Sequence, residues 1–246
     1  MTSTTYYGTL KIADNLFCFF WQGRGNNCNS YVLAGVLEGD RPHVIIDPGH
    51  IVNEFREPCF KQLALAMKAN GLDPKDIGLI INTHAHPDHC AASEILTQNT
   101  AKTKPPLIAF SREEYGFLRA AGEKYGGAFG LFLEKIEPFF LLGEGELKLG
   151  GTTLQVLVTP GHSPGSVCLF WPERGVLFTG DVVFAGSVGR TDLPGGNLAE
   201  LEESVERLAG LEAEYLLPGH WTEYGSFIQG RDIVQRNFQA IKMFFV

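Results

Sequence analysis

Short, nearly continuous apolar runs mark this chain of 246 residues at 16–21 (LFCFFW), 30–34, 43–47 (HVIID), 78–83 (GLIINT), 106–110, 153–159, 166–171 and 175–180 (GVLFTG). Each is bounded by Gly, Pro or Asn and is rich in β-branched or aromatic residues, the pattern of short buried strands. Helical spacing predicts helices over 56–70, where Phe60, Leu63, Leu65 and Met67 recur before Asn70-Gly71, and over 111–122, 198–210 and 226–244. Strands and helices interleave, so the expected class is α/β.

Composition narrows the function classes. Hydrophobic residues make up 44% of the chain, enough for a real core, and 29 glycines imply many tight turns between short elements. Lys+Arg 20 against Asp+Glu 28 leaves a net charge of -8 with no basic run, so a nucleic-acid partner is not expected. The five cysteines (18, 28, 59, 90 and 168) are widely spaced and form no C-x-x-C, which argues for a reducing, cytoplasmic setting over a disulfide framework. The start MTSTTYYGTLKIAD is polar rather than leader-like, and no run approaches a membrane span. The partner expected is therefore a small-molecule substrate.

Three apolar runs end in Pro-Gly-His: VIIDPGH at His50, LQVLVTPGH at His162 and EYLLPGH at His220. Pro and Gly at a strand's end turn the chain sharply out of the sheet and leave the next side chain at its rim, where open α/β sheets bind their ligands. After GLIINT comes His84-Ala85-His86-Pro87-Asp88-His89, four metal-binding side chains in six positions of a chain with seven histidines. In extended backbone, residues two apart point the same way, so His84 and His86 can address one metal. Pro87 stiffens the turn, and Asp88 and His89 then face a second position.

Taken together, these motifs resemble the metallo-β-lactamase-fold metallohydrolases, from the Asp47-Pro48-Gly49 turn through the 84–89 segment, His162 and Asp181 to His220. The resemblance implies one domain over 1–246, a four-layer αββα sandwich with its metal site at the rim of the two sheets. It implies that His84, His86 and His162 hold a first divalent ion, that Asp88, His89 and His220 hold a second, and that Asp181 bridges them. Asp47 would orient a ligand from behind. Such imidazole and carboxylate donors accept zinc, iron or manganese alike, and zinc is the expected ion. The implied reaction is hydrolysis by a hydroxide shared between two ions, with Asp88 both ligating and orienting it. His43 and His50 fall outside the pattern.

Within the family, Asp181 stands where one β-lactamase branch has cysteine, and His86 where flavodiiron proteins have an acidic residue. The segment Gly189-Arg190-Thr191-Asp192-Leu193-Pro194-Gly195-Gly196 is similar to one in short bacterial proteins of the glyoxalase II (hydroxyacylglutathione hydrolase) branch and marks ancestry more than substrate; a resemblance to that branch implies a small thioester substrate. Its physical reading is a Gly-rich loop pinned by an Arg190–Asp192 pair. Typical glyoxalase II grips glutathione with a C-terminal helical domain, for which the 26 residues after His220 leave no room. Arg24, in the loop Trp21–Asn27, and Tyr224 are the candidate substrate contacts. Two alternatives share these ligands: a mononuclear iron persulfide dioxygenase using His84, His162 and Asp181, and a lactonase. Residues 111–150 read as a helical insert whose aromatics serve as a site wall, as plain core or as a subunit contact. The apolar end, Ile241–Val246, is compatible with a homo-oligomer.

Overall fold

The computed structural model describes residues 6–98, 104–125 and 138–245. Seven strands, β1 (Tyr7–Ala13), β2 (Leu16–Trp21), β3 (Ser30–Leu33), β4 (His43–Ile46), β5 (Ile77–Ile81), β6 (Leu107–Ser111) and β7 (Phe140–Leu142), form one sheet in sequential order. Pairing is antiparallel from β1 to β4 and parallel from β4 to β7. The second sheet draws on β8 (Gly145–Leu149), β9 (Thr152–Val158), β10 (Val167–Trp171), β11 (Val176–Gly180), β14 (Tyr215–Pro218) and β15 (Ile228–Gln229), in the order β15-β14-β11-β10-β9-β8. A small hairpin, β12 (Val183–Phe184) with β13 (Ser187–Val188), stands apart.

The continuous apolar runs are explained by burial on both faces of each strand. In β2, Leu16, Cys18 and Phe20 face the second sheet, meeting a core of Leu154, Val156, Leu169 and Phe178, whereas Phe19 and Trp21 turn outward. Leu79 and Ile81 of β5 point in while Ile80 points out, the period-two alternation of a strand. Outside the first sheet lie α1 (Cys59–Ala69) and α4 (Arg112–Tyr125), packing Leu63, Met67 and Leu118 onto Ile45, Ile80 and Ile108; the short helices α2 (Pro87–Cys90) and α3 (Ser93–Gln98) come between them in the chain. Outside the second lie α5 (Leu198–Ala209) and α6 (Arg231–Ile241), which bury Leu201, Val205, Leu208, Val234 and Phe238 against Phe170, Leu177 and Leu216. The result is the expected four-layer αββα sandwich.

The helical expectations are met in part. Over 111–150, α4 accounts for 112–125, β7 and β8 each extend an edge of a sheet, and 126–137 lie outside the described residues. Phe139 is exposed, Tyr115 and Phe140 pack on the core clusters, and Phe129 and Phe132 lie outside the described residues. The helix expected over 226–244 begins only at Arg231, because Ile228–Gln229 pair with β14 and Gly230, at φ 106°, turns the chain between them. In α1 the buried stripe is Cys59, Leu63, Ala66 and Met67, at spacings of three and four, and Leu65 is exposed.

Candidate metal centre

The C-terminal ends of β4, β5, β9, β11 and β14 converge on one rim, and each releases a polar segment there. His84 follows β5. Between His86 and Ala91 the chain makes the single turn α2 (Pro87–Cys90), with Pro87 at its first position, which swings Asp88 and His89 back toward His84. His162, Asp181 and His220 arrive from the second sheet. Three overlapping groups result, His84/His86/His162, His84/His89/Asp181 and Asp88/His89/His220, each with its ligand atoms within 4.8 Å of one another. All seven side chains named by the motifs are thus brought together. His50, beyond the β4 turn, and His43 belong to none of these groups.

Within these groups ring nitrogens face ring nitrogens. His86 Nδ1 lies 3.0 Å from His84 Nε2 and 2.9 Å from His162 Nε2, and His89 Nε2 lies 3.2 Å from His220 Nε2. Their outward nitrogens say which of them carry protons. His89 Nδ1 sits 2.9 Å from Asp47 Oδ2 and His162 Nδ1 sits 2.8 Å from the Arg190 carbonyl; both oxygens only accept. Thr83 Oγ1 gives its hydrogen to Asp47 Oδ2 at 2.7 Å and so accepts from His84 Nδ1 at 3.1 Å. Protons on these three Nδ1 atoms leave three Nε2 lone pairs aimed inward, the arrangement by which outer hydrogen bonds orient metal-binding imidazoles.

Asp47 is the common anchor. It is buried, and its Oδ1 accepts a further hydrogen bond from Thr83 N at 2.7 Å. Its backbone is left-handed at φ 53°, a conformation Asp tolerates better than most residues, which points the carboxylate back beneath β5.

Electrostatics divides the cluster. Burial, with the neighbouring imidazoles, holds His84 well below the ordinary histidine value, and burial together with His162 brings His86 down to about 4. Burial would lower His220 too, but Asp181 and Asp88 push it up to about 9, and Asp181, Asp47 and Asp88 likewise raise His89 against its burial. Burial opposes ionisation of Asp181, yet His220 and His89 hold its carboxyl well below the carboxylate range. Asp181 Oδ1 lies 3.2 Å from His89 Nε2 without being aligned for a hydrogen bond to it, and no other partner is found among the described residues. A buried orphan carboxylate oxygen beside converging lone pairs fits divalent cations and little else.

The candidate substrate contacts lie apart from these groups. Arg24 is 76% exposed, sits 3.5 Å from Glu57 and stacks over Phe55; Tyr224 is 70% exposed and packs on Gly186. The Arg190–Asp192 pair forms as expected, with two contacts of 2.6 Å. Three polar residues escaped the motif reading. Asn26 donates to Asp88 Oδ2 at 2.7 Å, so the Trp21–Asn27 loop does reach the centre, Thr83 links Asp47 to His84, and Glu114 holds the two sheets' loops from beneath. None lies in a spacing that points to a metal site, although Asn26 sits in the Trp21–Asn27 loop already singled out for substrate contacts.

The chain is similar to known proteins. A probable metallo-hydrolase of Methanocaldococcus jannaschii is 33% identical over 202 residues, covering 80% of this chain and 89% of that protein. The hydroxyacylglutathione hydrolase GloC of Haemophilus influenzae is 32% identical over 175 residues, covering 69% of this chain and 74% of that protein. A solved structure, TTHA1623 in a di-iron-bound form, is 32% identical with a TM-score of 0.62, covering 85% of this chain and 93% of that one. The family model described as the metallo-beta-lactamase superfamily matches residues 23–220, a span that runs from the loop carrying Asn26 to the last histidine of the cluster. Fold, rim and sequence agree: the chain belongs to the metallo-beta-lactamase superfamily.

Proposed function

We propose that this metallo-hydrolase cleaves a small activated acyl compound, a thioester of the hydroxyacylglutathione type, at a centre of two divalent ions. The observation that carries the reading is the complete set of seven inward-facing donors, with Asp181 within 3.6 Å of His162, His89 and His220 alike. His84, His86 and His162 would hold one ion and Asp88, His89 and His220 the other, with Asp181 between them. Bound there, two such ions supply a water acidified toward neutrality and a Lewis acid for the acyl oxygen.

The chain's own residues do the rest. Asp47, Thr83 and the Arg190 carbonyl keep three imidazoles in the ligating tautomer. Asn26 donates to Asp88 Oδ2 and fixes that carboxylate, leaving it one lone pair fewer for the proton of the attacking water. Arg24, in the loop whose Asn26 touches Asp88, and Tyr224, four residues after His220, are the proposed grips for the leaving group. The thioester reading draws on the likeness to GloC and on the Gly189–Gly196 loop. Five unpaired, buried cysteines support a cytoplasmic setting, and no helix among the described residues is long and apolar enough to cross a membrane.

The test is hydrolysis of S-D-lactoylglutathione by metal-loaded protein, followed as loss of thioester absorbance beside a chelator-treated control. Turnover that disappears on chelation is the expected result. Metal-loaded protein without turnover would overturn the thioester assignment.

A further inference from the structure

Ser111-x-x-Glu114 has the spacing of a capping box, in which the serine hydroxyl takes the amide at the fourth position and the glutamate reaches back to the serine amide. Only half of that box forms at the start of α4. Glu114 N donates to Ser111 Oγ at 3.0 Å, but the Glu114 carboxylate turns away into the protein, where it is 2% exposed. There it accepts three hydrogen bonds. Ala85 N reaches Oε1 at 2.9 Å, and Ser163 Oγ and Gly165 N reach Oε2 at 2.8 and 2.9 Å.

These partners are not random. Ala85 is the residue between His84 and His86, on the first sheet's rim; Ser163 follows His162, on the second sheet's rim. One carboxylate therefore ties together, from beneath, the two loops that carry the three-histidine group. Ser111 Oγ donates in addition to the Gly165 carbonyl, and a side chain at Gly165 would collide with the Glu114 backbone, so this loop is drawn against α4 as closely as glycine permits. Among the described residues nothing comparable links α4 to Asp88, His89 or His220; the outer contact of Asp88 comes from Asn26 and that of His89 from Asp47.

We propose that Glu114 is a positioning residue for the His84/His86/His162 group, setting the spacing of its two halves and thereby the affinity of that one metal position. The inference rests on the metal-centre reading above. Glu114→Gln is the sharpest variant: its single amide oxygen can accept from Ala85 N or Gly165 N but not both, and its NH2 is then turned against the other amide hydrogen.

The experiment is stepwise Co(II) binding to metal-free protein, read by d–d absorption and by competition with a chromophoric chelator. His86→Ala and His220→Ala identify which step belongs to which group. Wild type is expected to show two steps. In Glu114→Gln the three-histidine step should weaken at least about tenfold with altered d–d bands, in line with the loss of other outer-sphere partners, while the second step stays within about twofold. Ser163→Ala, which removes one of the three hydrogen bonds, should weaken the same step by less, and keeps the test open should Glu114→Gln fold poorly. Unchanged steps in both variants overturn the inference. So does equal weakening of both steps with a lowered unfolding midpoint of the metal-free protein, which would mark Glu114 as a general structural support. Failure of the wild type to bind Co(II) overturns the metal-centre reading itself and the inference with it.

Discussion

Asp181→Ala is expected to lose metal and activity together. The carboxylate is the one acid placed between both histidine groups: Oδ1 lies 3.2 Å from His89 Nε2, and Oδ2 lies 3.4 Å from His220 and 3.6 Å from His162. On the proposed bridged pair, removing it would take a ligand from each ion and the main counter-charge from His89 and His220, so two metal ions would face each other with nothing between. Metal content should fall below one ion per chain, and turnover by more than the ~100-fold that marks the upper end for outer-sphere partners. Elemental analysis after dialysis and a thioester assay on the same sample check both. Full loading with wild-type turnover would remove Asp181 from the bridging role.

The second large effect is expected at Asp47, where two substitutions separate folding from metal binding. Asp47→Ala strips the acceptor from Thr83 N, Thr83 Oγ1 and His89 Nδ1, all buried, and places Ala at a left-handed backbone position. At about 1–3 kcal/mol for a buried group left unsatisfied, the loss should be several kcal/mol, read as a clear shift of the urea midpoint. Asp47→Asn is gentler on the fold. Its oxygen still takes Thr83 N, and Asn tolerates the left-handed region. Its NH2, however, must donate where the carboxylate accepted. His89 Nδ1 then becomes an acceptor and its proton moves to Nε2, pointing into the metal position. Through Thr83 Oγ1, which would now donate to His84 Nδ1, the same reversal reaches His84. Asp47→Asn should therefore unfold within about 1 kcal/mol of wild type and yet bind metal roughly 10–100-fold more weakly at both groups. Wild-type metal affinity in this variant would show that the two tautomers are not set by Asp47.

The strands of the sandwich's interior could be read from the sequence because burial on two faces leaves a continuous apolar run: 16–21 matches β2, and 175–180 matches β11 to within a residue. Edges were illegible for the converse reason. β8 (GELKL) has mostly exposed positions, and β7 is only three residues long, so neither offers a periodicity distinct from a loop. The seven clustered side chains were legible because their motifs run in the order of a known family, with His84, His86, Asp88 and His89 packed into six positions. Glu114 was not. In sequence it is an acid in the first turn of an amphipathic helix, the place where helix dipoles favour acids anyway, and only the packing of α4 against the rim shows its carboxylate facing inward. Asn26 reaches Asp88 across 62 residues and Thr83 reaches Asp47 across 36, separations that no local pattern encodes.

The most direct test of the central claim is the number of metal ions per folded chain, measured by elemental analysis on protein loaded with zinc, iron or manganese in turn and dialysed to equilibrium. Two ions per chain, falling to about one in His86→Ala and in His220→Ala, is the result that a bridged pair requires. A single iron per chain, retained in His220→Ala and lost in His84→Ala, would contradict it and turn the chemistry from hydrolysis toward oxidation at a site of two histidines and one carboxylate.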